Sequence, residues 1–213
     1  MIVAHHLIWT AYGWWLPNDP RGSTSRTIAC DVIAEMGELH YGRKSVQPAS
    51  REIREFYQQA EERLQHALVE FSEQDIDQIA APFADTIARN RYTCWACAIM
   101  PDHVHVLIRK HRDKAEQMIA KLEGDSRQRL IALGRRHAEH PVWGGPGWKV
   151  FLDHPDEVRR TIRYIESNPV KLGRPRQRWA FAKPYDGWPL HPGHSPNSPY
   201  VRRKRGEPFR DLP

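Results

Sequence analysis

The chain has 213 residues and a mass of 24.9 kDa, a length that predicts one domain with elaborations rather than two complete domains. Its 40% hydrophobic and 10% aromatic residues exclude a disordered chain, and its net charge is +6. No apolar run approaches the roughly 20 residues that span a bilayer, and the first residues lack the basic start of a signal peptide. Three cysteines are too few for a disulfide scaffold, so we expect a cytoplasmic protein that does not enter a membrane.

Hydrophobic periodicity predicts an α+β chain in the order strand, two helices, two strands, helix, strand, helix. The expected ranges are strand 3–12, helix 50–71, helix 72–87, strand 92–99, strand 103–109, helix 115–137, strand 148–152 and helix 157–168. We expect Ser50 to cap the first helix and the Ser72-x-x-Asp75 pattern to start the second as a capping box. Pro82 should kink or divide the second helix, and the last helix should stop before Pro169. This split pattern is typical of a ferredoxin-like antiparallel sheet with helices on one face.

The C-terminal part of the chain has a different composition, which divides a domain over residues 1–173 from a Pro-rich basic arm over residues 174–213. From residue 169 onward lie 9 of the 17 prolines, and ten basic residues stand against three acidic ones. The prolines exclude a helix or a central strand, so we expect an extended arm lying on the domain. Concentrated positive charge favours a polyanionic partner, and a solvated basic tail is the alternative.

His103-Val104-His105 is the most chemically suggestive motif of the chain. Alternate side chains of a strand share a face, so both imidazoles point one way and the intervening valine points toward the core. Two imidazoles on one face can serve as ligands for one metal ion. The pair alone is weak, because the chain holds 12 histidines. His5 and His6 face opposite ways on the first strand, and whether one approaches the His105 face stays open.

Tyr164 and Asn168 lie four residues apart on the last predicted helix, beside an apolar stripe of Val158, Ile162 and Ile165. A phenol and an amide oxygen presented together can reach a metal site on an adjacent strand, with Asn168 as ligand and Tyr164 as attacking group. The alternative is a boundary tyrosine with a wet hydroxyl and an asparagine at the helix C-cap.

Cys94 and Cys97 invite a redox or zinc interpretation that their spacing disfavours. Within a strand, a separation of three places the two sulfurs on opposite faces, so they cannot share a metal ion. We therefore expect two buried structural thiols.

Two motifs together resemble the HUH single-tyrosine transposases, especially the REP-associated branch. They are MPDHVHVL over residues 100–107 and YIESNPVKLG over residues 164–173, in the family's order and about 60 residues apart. The segment LIWTAYG over residues 7–13 is similar to the family's first strand. The resemblance covers about residues 3–12 and 90–173.

This resemblance implies an HUH endonuclease core over residues 1–173, with an insertion at about 17–90. It implies that His103 and His105 are metal ligands, that Asn168 is the third protein ligand and that Tyr164 is the nucleophile. The implied cofactor is Mg²⁺ or Mn²⁺. The implied activity is that of a DNA transposase or endonuclease, which cleaves and transfers single strands through a 5′-phosphotyrosine intermediate.

The implied partner is single-stranded DNA folded into a hairpin or palindromic repeat, which would make the protein nucleoid-associated. Aromatic residues of the arm are expected to stack on unpaired bases. The candidate DNA contacts are Arg163, Lys171, Arg174, Arg176, Arg178, Trp14, Trp15 and Arg21. For the two tryptophans, the alternative is packing against the end of the first strand. Relatives of this kind often form homodimers, and the sequence leaves the oligomeric state open.

Two other functions fit the same residues. A non-catalytic, domesticated module could bind DNA or RNA hairpins, since ferredoxin-like sheets also serve in RNA-binding domains. A metal-dependent phosphodiesterase could use water, with Tyr164 in a structural role. A covalent protein–DNA adduct that depends on Tyr164 distinguishes the transposase from both.

Overall fold

A computed structural model describes residues 2–23, 25–28, 30–42 and 44–188. Their helices and strands, in chain order, are β1 (Ala4–Ala11), α1 (Asp31–Ala34), α2 (Ser50–Arg63), α3 (Glu73–Arg89), β2 (Cys94–Ile99), β3 (His103–Arg109), α4 (Ala115–Ala132), β4 (Trp143–Leu152) and α5 (Pro155–Lys171). The strands form one antiparallel sheet in the order β2-β3-β1-β4. The predicted α+β class with an antiparallel sheet is confirmed. The helices that the structure describes are all too short or too polar to cross a lipid bilayer.

Helices pack on both faces of this sheet. α3 and α4 cover the face on which Val104 and Val106 of β3 are buried. α5 lies on the other face, where its buried Val158 and Ile165 pack in one cluster with Leu107. The prediction of helices on one face therefore holds for α3 and α4 only. The second face also carries apolar side chains, which gives the apolar stripe of α5 a surface to cover.

The register of the sheet decides which side chains share the α5 face. Ile8 of the central strand β1 lies opposite His105 on β3 and opposite Trp148 on β4. His6 lies opposite Leu107 on β3 in the same way. Because directly opposed residues point to the same face, these five side chains belong to one surface of the sheet.

The segment after α2 departs from the prediction, since the helix ends at Arg63 and not at Phe71. Residues 64–72 are not helical, because their backbone bonds elsewhere: Val69 N–H donates to Tyr12 C=O at 3.1 Å and Phe71 N–H to Pro101 C=O at 2.8 Å. The predicted apolar residues still reach the core, but from an extended segment. Likewise, the cap position of α2 is taken by the residue before Ser50 and not by Ser50 itself.

The two helix prolines do not interrupt their helices. α3 begins with the predicted capping box of Ser72 and Asp75, and it continues through Pro82 undivided. α5 runs on to Lys171 with Pro169 in its last turn, so the predicted stop before Pro169 is wrong. A proline there removes only one backbone hydrogen bond, and the buried ring of Pro169 contributes to the packing of the helix end.

Two further boundaries differ from the periodicity. α4 ends at Ala132 instead of residue 137, because Gly134 takes a left-handed conformation with φ of 65° and its N–H donates to Ile131 C=O. β4 begins at Trp143, five residues before the predicted start. Its glycines weaken the strand signal in the sequence.

Cys94 and Cys97 lie in the same core cluster, so the prediction of opposite faces is wrong. The pairing of β2 with β3 shifts between Cys94 and Ala96, and the extra residue changes the alternation of side chains. Both thiols are nevertheless buried, as predicted, and burial raises the pKa of each.

Residues 174–188 cover the edge of β2. The Gln177 side chain accepts from Ile99 N–H at 2.8 Å and donates to Ile99 C=O at 2.7 Å, and Lys183 N–H donates to Cys94 C=O at 2.8 Å. The predicted arm lying on the domain is thus confirmed for these residues, and it protects an edge strand. Its aromatic side chains are half-buried against the two core clusters: Trp179, Phe181, Tyr185 and Trp188. Those four rings contribute to packing, and the predictions for residues 189–213 lie outside the described residues.

Candidate functional site

The two histidines of β3 lie side by side on the α5 face of the sheet. The ring centroids of His103 and His105 are 4.8 Å apart and the rings are nearly perpendicular. Val104 and Val106 point into the opposite core cluster, which confirms the predicted alternation. His105 is 4% exposed, whereas His103 is half-buried at the end of the strand.

A hydrogen bond orients each of these imidazoles through its Nδ1 atom. His103 Nδ1 lies 2.6 Å from Asp102 Oδ1, and His105 Nδ1 lies 3.0 Å from His6 Nε2. In metal sites, histidine ligands commonly bond a carboxylate or another acceptor through the nitrogen that does not bind the metal. The Nε2 atoms of His103 and His105 are therefore the atoms that this arrangement leaves for a ligand.

The electrostatics favour uncharged imidazoles at the centre of the site. Burial lowers the pKa of His105 well below its ordinary value, and the charges of His103, His6 and Lys171 lower it further. Burial also lowers the pKa of His6 to about 4. Although burial opposes its ionisation, the hydrogen bond from His103 holds the pKa of Asp102 below its ordinary value. His6 and His105 therefore keep their nitrogen lone pairs at neutral pH.

Tyr164 is brought to the histidines by the packing of α5. Because Val158 and Ile165 are fully buried, the flank of the helix that carries Tyr164 faces the edge of the buried region. The Tyr164 ring centroid lies 5.4 Å from that of His105 and 6.2 Å from that of His6. The side chain is 44% exposed, and Lys171 Nζ lies 4.7 Å from the ring centroid. A phenol, an ammonium and buried imidazoles thus meet at a surface open to solvent.

Asn168 is oriented by its own helix. Its Nδ2 atom donates to Tyr164 C=O at 3.0 Å, one turn earlier. Among the described residues, no hydrogen bond joins Asn168 to either histidine of β3, and its Oδ1 atom accepts none. The structure therefore brings His103, His105 and Tyr164 together. The ligand role of Asn168 stays a prediction.

His103, His105 and Asn168 could supply part of the ligand set of a metal site. Within the described residues, no group of three or more His, Cys, Asp or Glu side chains is arranged to hold a metal ion. Two imidazoles with oriented Nε2 atoms do suit a divalent ion such as Mn²⁺. Oxygen atoms would have to complete the coordination, and the free Oδ1 of Asn168 is of the type that Mg²⁺ and Mn²⁺ prefer.

Comparison with known proteins finds similarity in structure. No family model matches the sequence, and no curated protein matches it. A REP-associated tyrosine transposase bound to a REP hairpin is similar with 10% identity and a TM-score of 0.44, over 80% of this chain and 68% of that one. A proposed transposase of Deinococcus radiodurans R1 is similar with 14% identity and a TM-score of 0.38, over 78% of this chain and 91% of that one. At this level of similarity, the function has to be argued from the residues of this chain.

Arg21 and its neighbours form a rigid network instead of a free basic patch. Arg21 donates to both carboxylate oxygens of the fully buried Asp19 and to the hydroxyl of Tyr57. Its guanidinium stacks over Trp15 at 3.9 Å from the ring centroid. Trp14 packs on the Tyr57 ring of α2 at 4.5 Å. DNA contacts by Trp14, Trp15 and Arg21 stay predictions.

The remaining predicted DNA contacts lie on α5 and in the segment that follows it. Arg174 Nη1 lies 2.8 Å from Glu73 Oε1, and Arg176 Nη1 lies 3.8 Å from Glu166 Oε2. Both arginines are therefore partly neutralised by carboxylates. Two exposed arginines complete the set, Arg163 and Arg178.

Sequence reasoning missed two residues of this site. His6 was an open alternative, because only the pairing of β1 with β3 brings it next to His105, 99 residues away. Asp102 lies within the motif over residues 100–107, but no function was predicted for it. Its position directly before the first histidine was a signal, since a neighbouring carboxylate is a common partner for a metal-binding imidazole.

Proposed function

We propose that this protein is a transposase-type enzyme that cleaves single-stranded DNA and transfers the cut strand through a 5′-phosphotyrosine at Tyr164. The observation that supports this most directly is the exposed phenol of Tyr164 against the buried His105. A tyrosine kept for packing alone would not need a solvent-open position beside two imidazoles and Lys171. The resemblance of residues 100–107 and 164–173 to HUH transposases implies the same chemistry.

In the proposed reaction, Tyr164 Oη attacks the phosphorus atom of a phosphodiester. The Oη–P bond forms, the bond from phosphorus to the 3′ oxygen breaks, and the leaving oxygen takes up a proton to become a 3′-OH. The phenolic proton is released to solvent. Because one phosphate diester replaces another, a 3′-OH from a different strand can reverse the step and free Tyr164, so no ATP is needed.

The proposed cofactor is Mg²⁺ or Mn²⁺, held by His103, His105 and Asn168, and its chemistry would be to polarise the scissile phosphate. Asp102 and His6 hold the two imidazoles in place for that task. The Lys171 ammonium, close to the Tyr164 ring, would attract the phosphate and offset the charge that develops on it.

An unpaired strand is the substrate that the surface of the sheet favours. Ile8 and Thr10, next to His105 and His103 across the sheet, are only half-buried, so the face stays open beyond α5. A flexible strand can lie along such a face and place one phosphate at the Tyr164 hydroxyl. A rigid duplex keeps its phosphates on a fixed curve and fits a flat surface less readily.

The test is a covalent-trapping assay with a labelled DNA hairpin that carries single-stranded flanks, in the presence of Mn²⁺. The wild-type protein is expected to give an adduct that withstands SDS, and Tyr164→Phe is expected to give none. Ser167→Ala is the matched control, because Ser167 is another hydroxyl of α5, three residues away and bonded to Tyr164 C=O. It should leave the adduct intact.

Each alternative function gives a different result. Cleavage without an adduct, equal in wild type and Tyr164→Phe, would identify a phosphodiesterase that uses water. Tight binding without cleavage under any divalent ion would identify a binding module. Either result would overturn the phosphotyrosine proposal.

A further inference from the structure

A groove of about 700 Å³ lies beside β4, the edge strand on the far side of the sheet from β2. One wall is formed by residues 146–149 of β4, and the other by described parts of residues 17–41. The second wall is ordered by its own hydrogen bonds: Asn18 Nδ2 donates to Ile33 C=O at 2.7 Å, and Ser23 pairs with Tyr41 in a short bridge. Both walls of the groove are therefore held in place by hydrogen bonds.

The groove combines aromatic and cationic side chains. Tyr41 is 54% exposed and Trp148 is 37% exposed, so each presents ring surface to solvent. The Arg26 guanidinium lies 5.5 Å from the Tyr41 ring centroid, and Lys149 also lines the groove. Among the described lining residues, none carries a carboxylate, although Lys149 itself pairs with Glu116 outside the groove at 3.3 Å.

The groove continues the surface that carries the proposed active site. Trp148 and His105 both lie opposite Ile8, one on each side of β1, so their side chains emerge from the same face. Two strand spacings separate the two backbones by about 10 Å. The half-buried Ile8 between them leaves the path open. A strand bound at Tyr164 therefore has a direct route across β1 to Trp148.

We propose that this groove binds the unpaired nucleotides that flank the cleavage site, with bases stacked on Trp148 and Tyr41 and phosphates near Arg26. The inference rests on the proposed function for its choice of DNA. Single-stranded nucleic acid is recognised by exposed rings on which bases stack and by cations that follow the backbone, and the groove supplies both. Paired bases would have no free faces to offer these rings, so the occupant is a single strand and not a duplex.

The experiment measures binding without chemistry, in the full-length Tyr164→Phe protein. The probe is a fluorescein-labelled oligothymidylate of about 20 nucleotides, longer than a typical single-strand site of about 4 to 16 nucleotides. Fluorescence anisotropy should show that Trp148→Ala and Tyr41→Ala each weaken binding by about tenfold, as loss of one stacked base does. Trp148→Phe keeps an aromatic face and should restore most of the affinity.

Phe151→Ala is the matched control for the aromatic variants. Phe151 is also an exposed ring of β4, 51% exposed, but it lies three residues from Trp148 and packs against His5, on the opposite face of the sheet. Its loss should leave binding unchanged. Arg26→Ala should reduce the dependence of log K on log salt by about 0.7, the contribution of one phosphate contact to a single strand.

A second measurement locates the bound strand directly. An oligothymidylate with one 5-iodouracil is irradiated on the protein, and the crosslinked peptides are identified by mass spectrometry. Crosslinks to Trp148 or Tyr41 support the inference. It is overturned if the crosslinks map elsewhere, or if the folded alanine variants bind as tightly as the parent or no worse than Phe151→Ala.

These results are independent of the outcome at Tyr164. If the wild-type protein forms no adduct but the groove variants lose affinity, DNA binding in the groove is supported and the phosphotyrosine mechanism is refuted. If the adduct forms and the groove variants bind DNA normally, the phosphotyrosine mechanism is supported and DNA binding in the groove is refuted.

Discussion

Removal of the His6 imidazole tests the proposed metal site through a residue that does not itself serve as a ligand there. In His6→Ala, His105 Nδ1 loses its hydrogen-bond partner, His6 Nε2, which lies 3.0 Å away. His105 is only 4% exposed, so water does not readily replace that partner. An unsatisfied buried polar group of this kind costs about 1–3 kcal/mol. This cost lowers the stability of the folded protein with or without the ion. Affinity for Mn²⁺ depends instead on the orientation of the His105 ring, and the loss of such an orienting partner should lower that affinity by about 10- to 100-fold.

The chain supplies an unusually close control in the preceding residue. His5 is 7% exposed and His6 is 6% exposed, but His5 points to the opposite face and packs against Phe151 at 5.3 Å. His5→Ala should therefore lower stability to a comparable extent and leave Mn²⁺ affinity unchanged. His6→Gln keeps a donor and an acceptor at this position and should recover part of the affinity.

Isothermal titration calorimetry with Mn²⁺ gives the affinities, and single-turnover adduct formation gives the rates. Circular dichroism establishes that each variant is folded at the assay temperature. The reasoning is refuted if a folded His6→Ala protein binds Mn²⁺ as tightly as the wild type. It is also refuted if His5→Ala and His6→Ala lose the same affinity, because the effect would then follow stability and not orientation.

Three further predictions concern the edge of the sheet, a buried carboxyl group and the cation at Tyr164. Gln177→Ala, which removes both hydrogen bonds to the edge strand, should lower the free energy of unfolding by about 2 kcal/mol in urea titrations, whereas Arg178→Ala should change it by less than about 0.5 kcal/mol. Burial raises the pKa of Glu123 from 4.5 to about 7, so the folded state binds this proton more tightly, and the contribution of Glu123 to the free energy of unfolding should fall by on the order of 3 kcal/mol as pH rises from 4.5 through 7. His6 and His105 contribute in the opposite direction over this range, so the quantity measured is the difference in the free energy of unfolding between the wild type and Glu123→Gln. Glu123→Gln should remove that pH dependence. Lys171→Gln should slow adduct formation at Tyr164 about fivefold in single-turnover assays, and Lys171→Arg should retain the wild-type rate.

Each of these predictions has a contrary result. Equal stability of Gln177→Ala and Arg178→Ala would show that the arm does not support the edge strand. A difference in the free energy of unfolding between the wild type and Glu123→Gln that stays constant across this pH range would show that Glu123 is not held protonated. An unchanged rate in Lys171→Gln would show that its charge does not act at Tyr164.

Local sequence patterns were sufficient for the features that depend on one element at a time. The alternation in β3 predicted which side of the strand carries His103 and His105, and the three-and-four spacing in α5 predicted its buried stripe. The capping box of Ser72 and Asp75 likewise predicted the start of α3. These features follow from chain geometry, because period and capping are determined within a few residues.

Other features required the whole fold. Where a helix ends can depend on distant backbone groups, as residues 64–72 show by bonding to Tyr12 and Pro101 instead of extending α2. One extra residue in β2 placed Cys94 and Cys97 on the same side, which strict alternation cannot predict. The side of the sheet on which α5 packs is also a choice between two apolar surfaces and not a property of the helix itself.

The candidate site shows the same division. The sequence by itself determined that two imidazoles share one face and that a phenol stands on the flank of the last helix. Only the tertiary structure decided that His6 orients His105 and that Trp148 lies on the path from Tyr164, because both depend on strand register. Register is determined by contacts between residues as far apart as 99 and 140 positions, and no local pattern records them.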